Sequence, residues 1–482
     1  MKRILFAAPE CLPLNKDHGT AGLCGALPGY FNSDEWDIRI CFPGYTCIPQ
    51  QIREQFSYLL HFYMQDPQSK KESYVGVLKG KVNGITCYLI DNQDFFDTYP
   101  SDTDSHKELK RSVFFSKAVF SMLPLLDFHP DLIHCFRWQC GLLPVYLKTE
   151  FQKDSFYRKI STVFTFEDLL SPAIYEISAV QSCSGLPLSL FTQDKLEFHQ
   201  NCSLLKAGLV YADYITCFSP GYSNQIQTDD FGRGFHGLLG ARHLDMQGIM
   251  PGISSDFSPA DDPYITEDFD FFTRRRKKSV NKTLLQKELG IPVNENTYMI
   301  GILLNSLPEN GLDLILSAME GILDDYTQVV AIGCVNDYFE KRLRDLAWRY
   351  SDSFSLLLFQ DERLYHQILA SCDAMLFTSM LESDPFRVMQ AQKYGCIPVV
   401  RESGCYKDLV EPFNIYQDSG NGFSFLNNKA EDMLHVINYS KQIYYDRKAA
   451  WEAMADRNMQ SEHTWSGTAG NYEDLYNYLI NR

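Results

Sequence analysis

The chain is 482 residues long, more than one hydrophobic core can hold, and its 45% apolar and 14% aromatic content is that of a folded globular protein with two or three domains. Its 61 acidic side chains against 44 basic ones give a formal charge of −17, which argues against nucleic acid or an anionic membrane as a general partner. No apolar run approaches the roughly 20 residues that a bilayer span requires.

At the start, Met1 to Ala8 breaks into Pro9-Glu10 too early for a signal peptide. The fourteen cysteines contain no C-x-x-C pair, so the expected compartment is a reducing cytoplasm, with no structural zinc. Short β-type runs separated by polar helical segments predict strands at 4–7, 37–42, 86–90, 132–135, 162–166 and 214–218. Gly232 to Gly237 fits G-x-G-x-x-G by spacing, but no strand is predicted before it, so it does not read as a dinucleotide site. From 248 to 263 the pattern dissolves into Gly, Pro, Asp and Ser, a linker or hinge. Just beyond it stands Arg274-Arg275-Arg276-Lys277-Lys278, which reads as a solvated helix start or linker face, with anion or partner binding as the alternative. A second alternating series predicts strands at 298–303, 328–332, 354–358, 374–377 and 397–400. Two successive doubly wound α/β domains account for both series.

The most telling segment is 374–401. An apolar strand opens into a loop with one carboxylate, Glu382, then into a helix beginning near Phe386-Arg387, and closes with Ile397-Pro398-Val399-Val400. This is a βαβ unit, and in open parallel sheets ligands sit beyond the carboxyl ends of the strands. Glu382 would meet a helix N-terminus there. Helix starts favour phosphate, and an adjacent acid suits chemistry on an attached group, so the segment outlines a nucleotide-sugar site.

Several motifs together resemble the bacterial glycogen and plant starch synthases, glycosyltransferase family 5. They are Leu205-Lys206-Ala207-Gly208 with Tyr211-Ala212-Asp213, Ser219-Pro220, Pro130-Asp131-Leu132-Ile133-His134, Gly311-Leu312-Asp313-Leu314, Tyr394-Gly395, Pro398-Val399-Val400-Arg401 and Gly420-Asn421-Gly422-Phe423. The similarity runs from Lys2 to about Tyr476. It implies the GT-B architecture, two Rossmann-like domains facing a central cleft. The first (1–247) would bind an α-1,4-glucan or malto-oligosaccharide, and the second (248–458) ADP-glucose or another nucleotide sugar. A last helix (459–482) would return to the first domain. The implied reaction is retaining transfer of glucose to the non-reducing end of the glucan, with no cofactor and no metal.

The resemblance also assigns a site, and this chain departs from it. Glu382 falls on the family's catalytic glutamate. Lys16 and Gly19 keep part of the Lys-x-Gly-Gly loop, while His18 replaces its first glycine. Asn305 and Asn310 stand where the family has an arginine and a lysine on the diphosphate. Ser383-Asp384-Pro385 replaces Pro-Cys-Gly, and Arg387 replaces a threonine; it could restore one cation or pair with Asp384 or Glu382. Arg401 and Gly404 complete the donor side. On the acceptor or sugar side, Phe136-Arg137-Trp138-Gln139 replaces His-Asp-Trp-His, and Glu167-Asp168 replaces His-Asn. His134 follows an apolar strand and reads as a core residue ahead of a ligand. Two readings stay open: a synthase with weakened or altered activity, and an inactive homologue that binds glucan or regulates a catalytic paralogue, with a homo-oligomer open to either.

Overall fold

Each short buried apolar run becomes a strand, and the strands assemble into two main sheets in two separate units. The computed structural model describes every residue except 12, 14–18, 68–69, 98–104, 255–256, 306 and 308–309. Unit 1 comprises Met1–Gly252 and Thr464–Arg482; unit 2 is Ile253–His463.

Unit 1 contains β1 (Lys2–Ala7), β2 (Trp36–Pro43), β3 (Ser57–Gln65), β4 (Glu72–Val82), β5 (Ile85–Asp91), β6 (Leu132–Phe136), β7 (Ser161–Thr165), β8 (Ile174–Tyr175), β9 (Glu197–Phe198), β10 (Asn201–Ser203), β11 (Tyr214–Cys217) and β12 (Met246–Gly248). Nine of these form one sheet in the order β12-β11-β7-β6-β1-β2-β5-β4-β3, while β8, β10 and β9 form a small separate one. From β12 to β5 the pairing is parallel, and β6 is buried along its whole length, as a strand covered on both faces must be. The antiparallel pair β3 and β4 at the edge was not anticipated from sequence. Its outer strand leaves Tyr58, Leu59 and Tyr63 exposed, so it lacks the continuous apolar run that marks the buried strands.

The helix Trp465–Ile480 belongs to unit 1. Its Tyr472 and Tyr476 are fully buried, and the Tyr476 hydroxyl meets His134 Nδ1 at 2.7 Å. His134 Nε2 reaches Thr165 Oγ1 at 2.5 Å, so this histidine is a core residue with both nitrogens occupied, and burial lowers its pKa. The Gly232–Gly237 stretch is indeed preceded by a helix and turns, with no strand.

Unit 2 contains β13 (Tyr298–Asn305), β14 (Thr327–Cys334), β15 (Phe354–Leu357), β16 (Ala374–Phe377), β17 (Ile397–Arg401) and β18 (Phe423–Phe425). All six pair in parallel in the order β15-β14-β13-β16-β17-β18. The winding reverses between β13 and β16. A ligand crevice is expected beyond the carboxyl ends of those two strands.

The basic run is the first turn of the helix Arg274–Leu289, and its expected solvation holds only in part. Arg274, Lys278 and Lys282 are four residues apart and therefore share one face, which the fold buries. The segment leading into this helix is held by Asp262, whose carboxylate accepts from His366 Nδ1 at 2.8 Å and from the Tyr394 hydroxyl at 2.5 Å. Among the described residues no helix is long and apolar enough to cross a membrane.

Candidate active site

At the switch point of unit 2, the loops after β13, β16 and β17 meet. Asn305 ends β13 in an exposed position, and its Oδ1 accepts the Leu307 N–H at 3.1 Å. The Thr378 hydroxyl, just past β16, donates to the Asn310 carbonyl at 2.5 Å. Gly311 has φ +69°, and a Cβ there would lie 2.6 Å from the Thr378 carbonyl oxygen, so glycine is what allows the two loops this approach. The same logic joins β16 to β17. The Ser403 hydroxyl donates to the Ser379 carbonyl at 2.8 Å and Cys405 N–H to the Glu382 carbonyl at 2.9 Å. Gly404, with φ +51°, passes so close to the Glu382 backbone that any Cβ would strike it.

Glu382 is thereby fixed at the carboxyl edge of the sheet. Its Oε1 accepts the Asp384 N–H at 2.8 Å, and its Oε2 accepts the buried Tyr406 hydroxyl at 3.1 Å. Burial, with the nearby Asp384 charge adding to it, raises the Glu382 pKa to about 7. It can therefore be neutral or ionised near neutrality, the behaviour expected of a functional carboxyl.

The helix Phe386–Lys393 starts in this loop, but its first N–H is not open to a ligand. Asp384 Oδ1 accepts the Phe386 N–H at 2.8 Å, so a carboxylate already occupies the position where the sequence placed a phosphate. Arg387 lies over the Tyr365 ring, 4.7 Å from its centroid, with Nη1 3.5 Å from Gln390 Oε1. Burial opposes its charge, yet Tyr365 and Asp384 hold its pKa above the ordinary value.

Arg401 ends β17 and is 8% exposed. Nη1 contacts Asn428 Oδ1 at 3.3 Å, no carboxylate faces it among the described residues, and burial lowers its pKa. A buried guanidinium without a counterion is costly unless an anion arrives.

In unit 1 the loops after β1, β6 and β7 converge. Gly19 opens the helix Gly19–Ala26, and a Cβ there would run into the Glu167 carboxyl. Glu167 accepts from the Thr20 N–H and from its hydroxyl at 2.9 Å, and lies 3.5 Å from Arg137 Nε. Arg137 also pairs with Glu10. The Glu167 carboxylate is thus spent on a helix start and an ion pair, and a sugar hydroxyl would have to compete for it. Asp168 Oδ1 accepts the Leu170 N–H at 2.6 Å and that of Ser171 at 3.3 Å, and burial raises its pKa, with Glu167 adding to the shift. Trp138 is half-buried beside Tyr175, their rings 6.4 Å apart. Gln139 is 9% exposed, and its Oε1 has no hydrogen-bond partner. Lys16 and His18 lie outside the described residues.

Tyr406, Tyr365 and Asn428 escaped the sequence reading. No local signal marks them, since each reaches the site only through the folded loops. Arg137, named from sequence, has a φ of +61°, rare for a side-chain-bearing residue and concentrated at functional sites, which only the fold reveals.

Residues 3–241 match the family model described as starch synthase catalytic domain, and 286–452 that described as glycosyl transferases group 1. The chain is 39% identical to the glycogen synthase of Lachnospira eligens, over 99% of this chain and 100% of that one. It is 38% identical, over the same shares, to the glycogen synthase of Lachnoclostridium phytofermentans. In structure it is similar to the catalytic domain of starch synthase IV from Arabidopsis thaliana bound to ADP and acarbose, with a TM-score of 0.87 at 23% identity and 100% of each chain covered. Sucrose-phosphate synthase from Thermosynechococcus elongatus follows at 0.60 and 14%, again with 100% of each covered. The chain therefore belongs to the glycogen and starch synthase family of GT-B glycosyltransferases.

Proposed function

We propose that this protein transfers glucose from ADP-glucose to the non-reducing end of an α-1,4-glucan with retention of configuration, at a turnover well below that of a fully charged site. The observation that carries the reading is Arg401, a buried guanidinium with no carboxylate partner among the described residues, at the carboxyl edge of the unit 2 sheet beside the loop that holds Glu382. A diphosphate leaving group gathers negative charge in the transition state, and preorganised donors facing it lower the barrier. In this reading Arg401 meets that charge. Glu382, poised near neutrality, hydrogen-bonds the transferred glucosyl group. Asn305, Asn310 and Gly404 shape the diphosphate pocket of unit 2. On the acceptor side, the unpaired Gln139 Oε1 and the Trp138 ring supply the polar and apolar contacts a glucan needs, with Glu167 and Asp168 at the rim.

Weakened turnover follows from the two asparagines. Each missing transition-state donor costs about 3 kcal/mol, and two cost about 6, roughly 10⁴-fold in rate if additive. Asp384 at the helix start adds charge of the wrong sign, and Arg387 is drawn toward Tyr365.

The test is elongation of a malto-oligosaccharide by the purified protein with ADP-glucose or UDP-glucose, together with calorimetry using ADP alone. Slow elongation that prefers ADP-glucose, with measurable ADP binding, is expected. Absence of ADP binding overturns the proposal. Glucan binding without nucleotide binding would then establish the second reading, a non-catalytic glucan-binding or regulatory partner, which Asp384 at the helix start favours. Cytoplasmic residence accords with both readings.

A further inference from the structure

At the opposite, amino-terminal edge of the unit 2 sheet lies a cavity of about 490 Å³. Its wall includes Asn296, just before β13, and Ser371, Asp373 and Gly395, just before β16 and β17, so it is remote from the carboxyl edge where Glu382 sits. Two helices begin at it. Arg274–Leu289 contributes Arg274, Arg275, Lys278 and Lys282, and Lys448–Gln460 contributes Lys448.

Both helix starts run against electrostatic preference. Neither first turn contains an acid, and neither N-cap side chain caps an N–H of the helix it opens. Basic residues at the positive end of a helix dipole are destabilising. Internal pairing offsets part of this. Arg274 Nη2 lies 2.6 Å from Glu452 Oε2 and 2.8 Å from Asp456 Oδ1, and Arg275 Nε is 3.3 Å from Glu452. Lys282 Nζ is 2.6 Å from Asp373 Oδ2, while Lys278 Nζ is satisfied by the carbonyls of Leu369 at 2.7 Å and Tyr394 at 3.0 Å.

A surplus remains. Five cations on the cavity wall face three carboxylates there, and Asp456 beside it pairs with Arg274 and Arg275, which leaves one cation in excess in a chain whose net charge is −17. Lys448 is exposed and makes no ion pair among the described residues. Two polar atoms on lining residues are buried and unpaired: the hydroxyl of Ser371, which is 1% exposed, and Nε of Arg274, which is 4% exposed. Unpaired buried donors are rare and need an explanation such as an unseen ligand.

We infer that this cavity binds a dianionic phosphate group, as inorganic phosphate or as a small phosphomonoester. Two positive helix ends, the exposed side chains of Arg275 and Lys448 and the Ser371 hydroxyl are complementary to phosphate oxygens. The volume admits a sugar monophosphate but not a polymer.

The experiment is calorimetric titration of the full chain with inorganic phosphate at fixed ionic strength, with potassium chloride as control and a hexose monophosphate as a second ligand. One phosphate per chain is expected, weakened at least tenfold by the Arg275→Glu/Lys448→Glu double variant. In the unmodified protein, hydrogen exchange should slow at residues 274–278 and 448–451 on adding phosphate. A hexose monophosphate that binds tenfold tighter assigns the cavity to a sugar phosphate; equal or weaker binding assigns it to the inorganic ion. Undiminished affinity in the double variant, an equal response to chloride, or no protection at those two helix starts overturns the inference.

Discussion

Restoring Asn305→Arg and Asn310→Lys together should raise the rate of glucosyl transfer. Asn305 sits exposed at the end of β13 and its side chain accepts the Leu307 N–H at 3.1 Å, so a longer side chain extends outward without displacing the core. Asn310 is half-buried, and its recorded bonds, to Thr378 and Leu307, are made by its backbone and survive a side-chain change. A unit charge about 4 Å from a phosphate oxygen contributes about 4 kcal/mol at an effective dielectric of 20, close to the 3 kcal/mol that removing one transition-state donor typically costs. One restored cation should therefore raise kcat/KM about 10²-fold and two up to about 10⁴-fold, with KM for ADP-glucose falling less than kcat rises. The assay is steady-state release of ADP with a malto-oligosaccharide acceptor, checked by calorimetry with ADP and by thermal melting. If the double variant folds, binds ADP more tightly and still transfers glucose no faster, the absent cations do not limit the reaction and the reasoning fails.

Glu382 should make stability depend on pH. Below about pH 4.5 its carboxyl is neutral in the folded and unfolded chain alike; as the pH rises toward 7 only the unfolded chain gives up the proton, so stability falls, by at most about 3 kcal/mol once the pH exceeds 7. Urea denaturation should then find Glu382→Gln more stable than the parent at pH 8 and equal to it at pH 4.5, while its transfer activity is lost. Gly404→Ala forces a Cβ onto the Glu382 backbone and should cost 2 kcal/mol or more, on the order of a strained left-handed residue plus a clash, with a fall in kcat read in the same assay. Asp262→Ala leaves His366 Nδ1 and the Tyr394 hydroxyl with only each other, at 3.2 Å, and should lower unit 2 stability by about 1–3 kcal/mol, measurable by calorimetric melting.

The parallel strands were legible because burial on both faces demands unbroken apolar runs, and the predicted runs at 4–7, 132–135, 298–303 and 374–377 all fall on strands. The edge pair β3 and β4 was not, since an edge strand facing solvent alternates weakly and keeps exposed tyrosines. Family membership was legible through motifs scattered over the whole length. Side-chain allegiance was not. Asp384 could be counted as an extra negative charge, but that it closes the helix start depends on the turn geometry between Glu382 and Phe386. Glu167 looked available to a sugar until the fold brought Thr20 and Arg137 to it. Arg274 and Lys278 looked solvated because a run of like charges hides the four-residue spacing that turns some of its members inward.

Unit 1 keeps two of its largest buried rings, Tyr472 and Tyr476, on a helix encoded after all of unit 2. During translation the ribosome therefore releases all nine strands before the helix that packs on β6, and His134 stays without its tyrosine partner until the helix Trp465–Ile480 emerges. Unit 2 carries no such debt and can close while still tethered. The order of synthesis is thus inverted in the order of folding, and a stop codon just ahead of Trp465 should damage the domain that was made first.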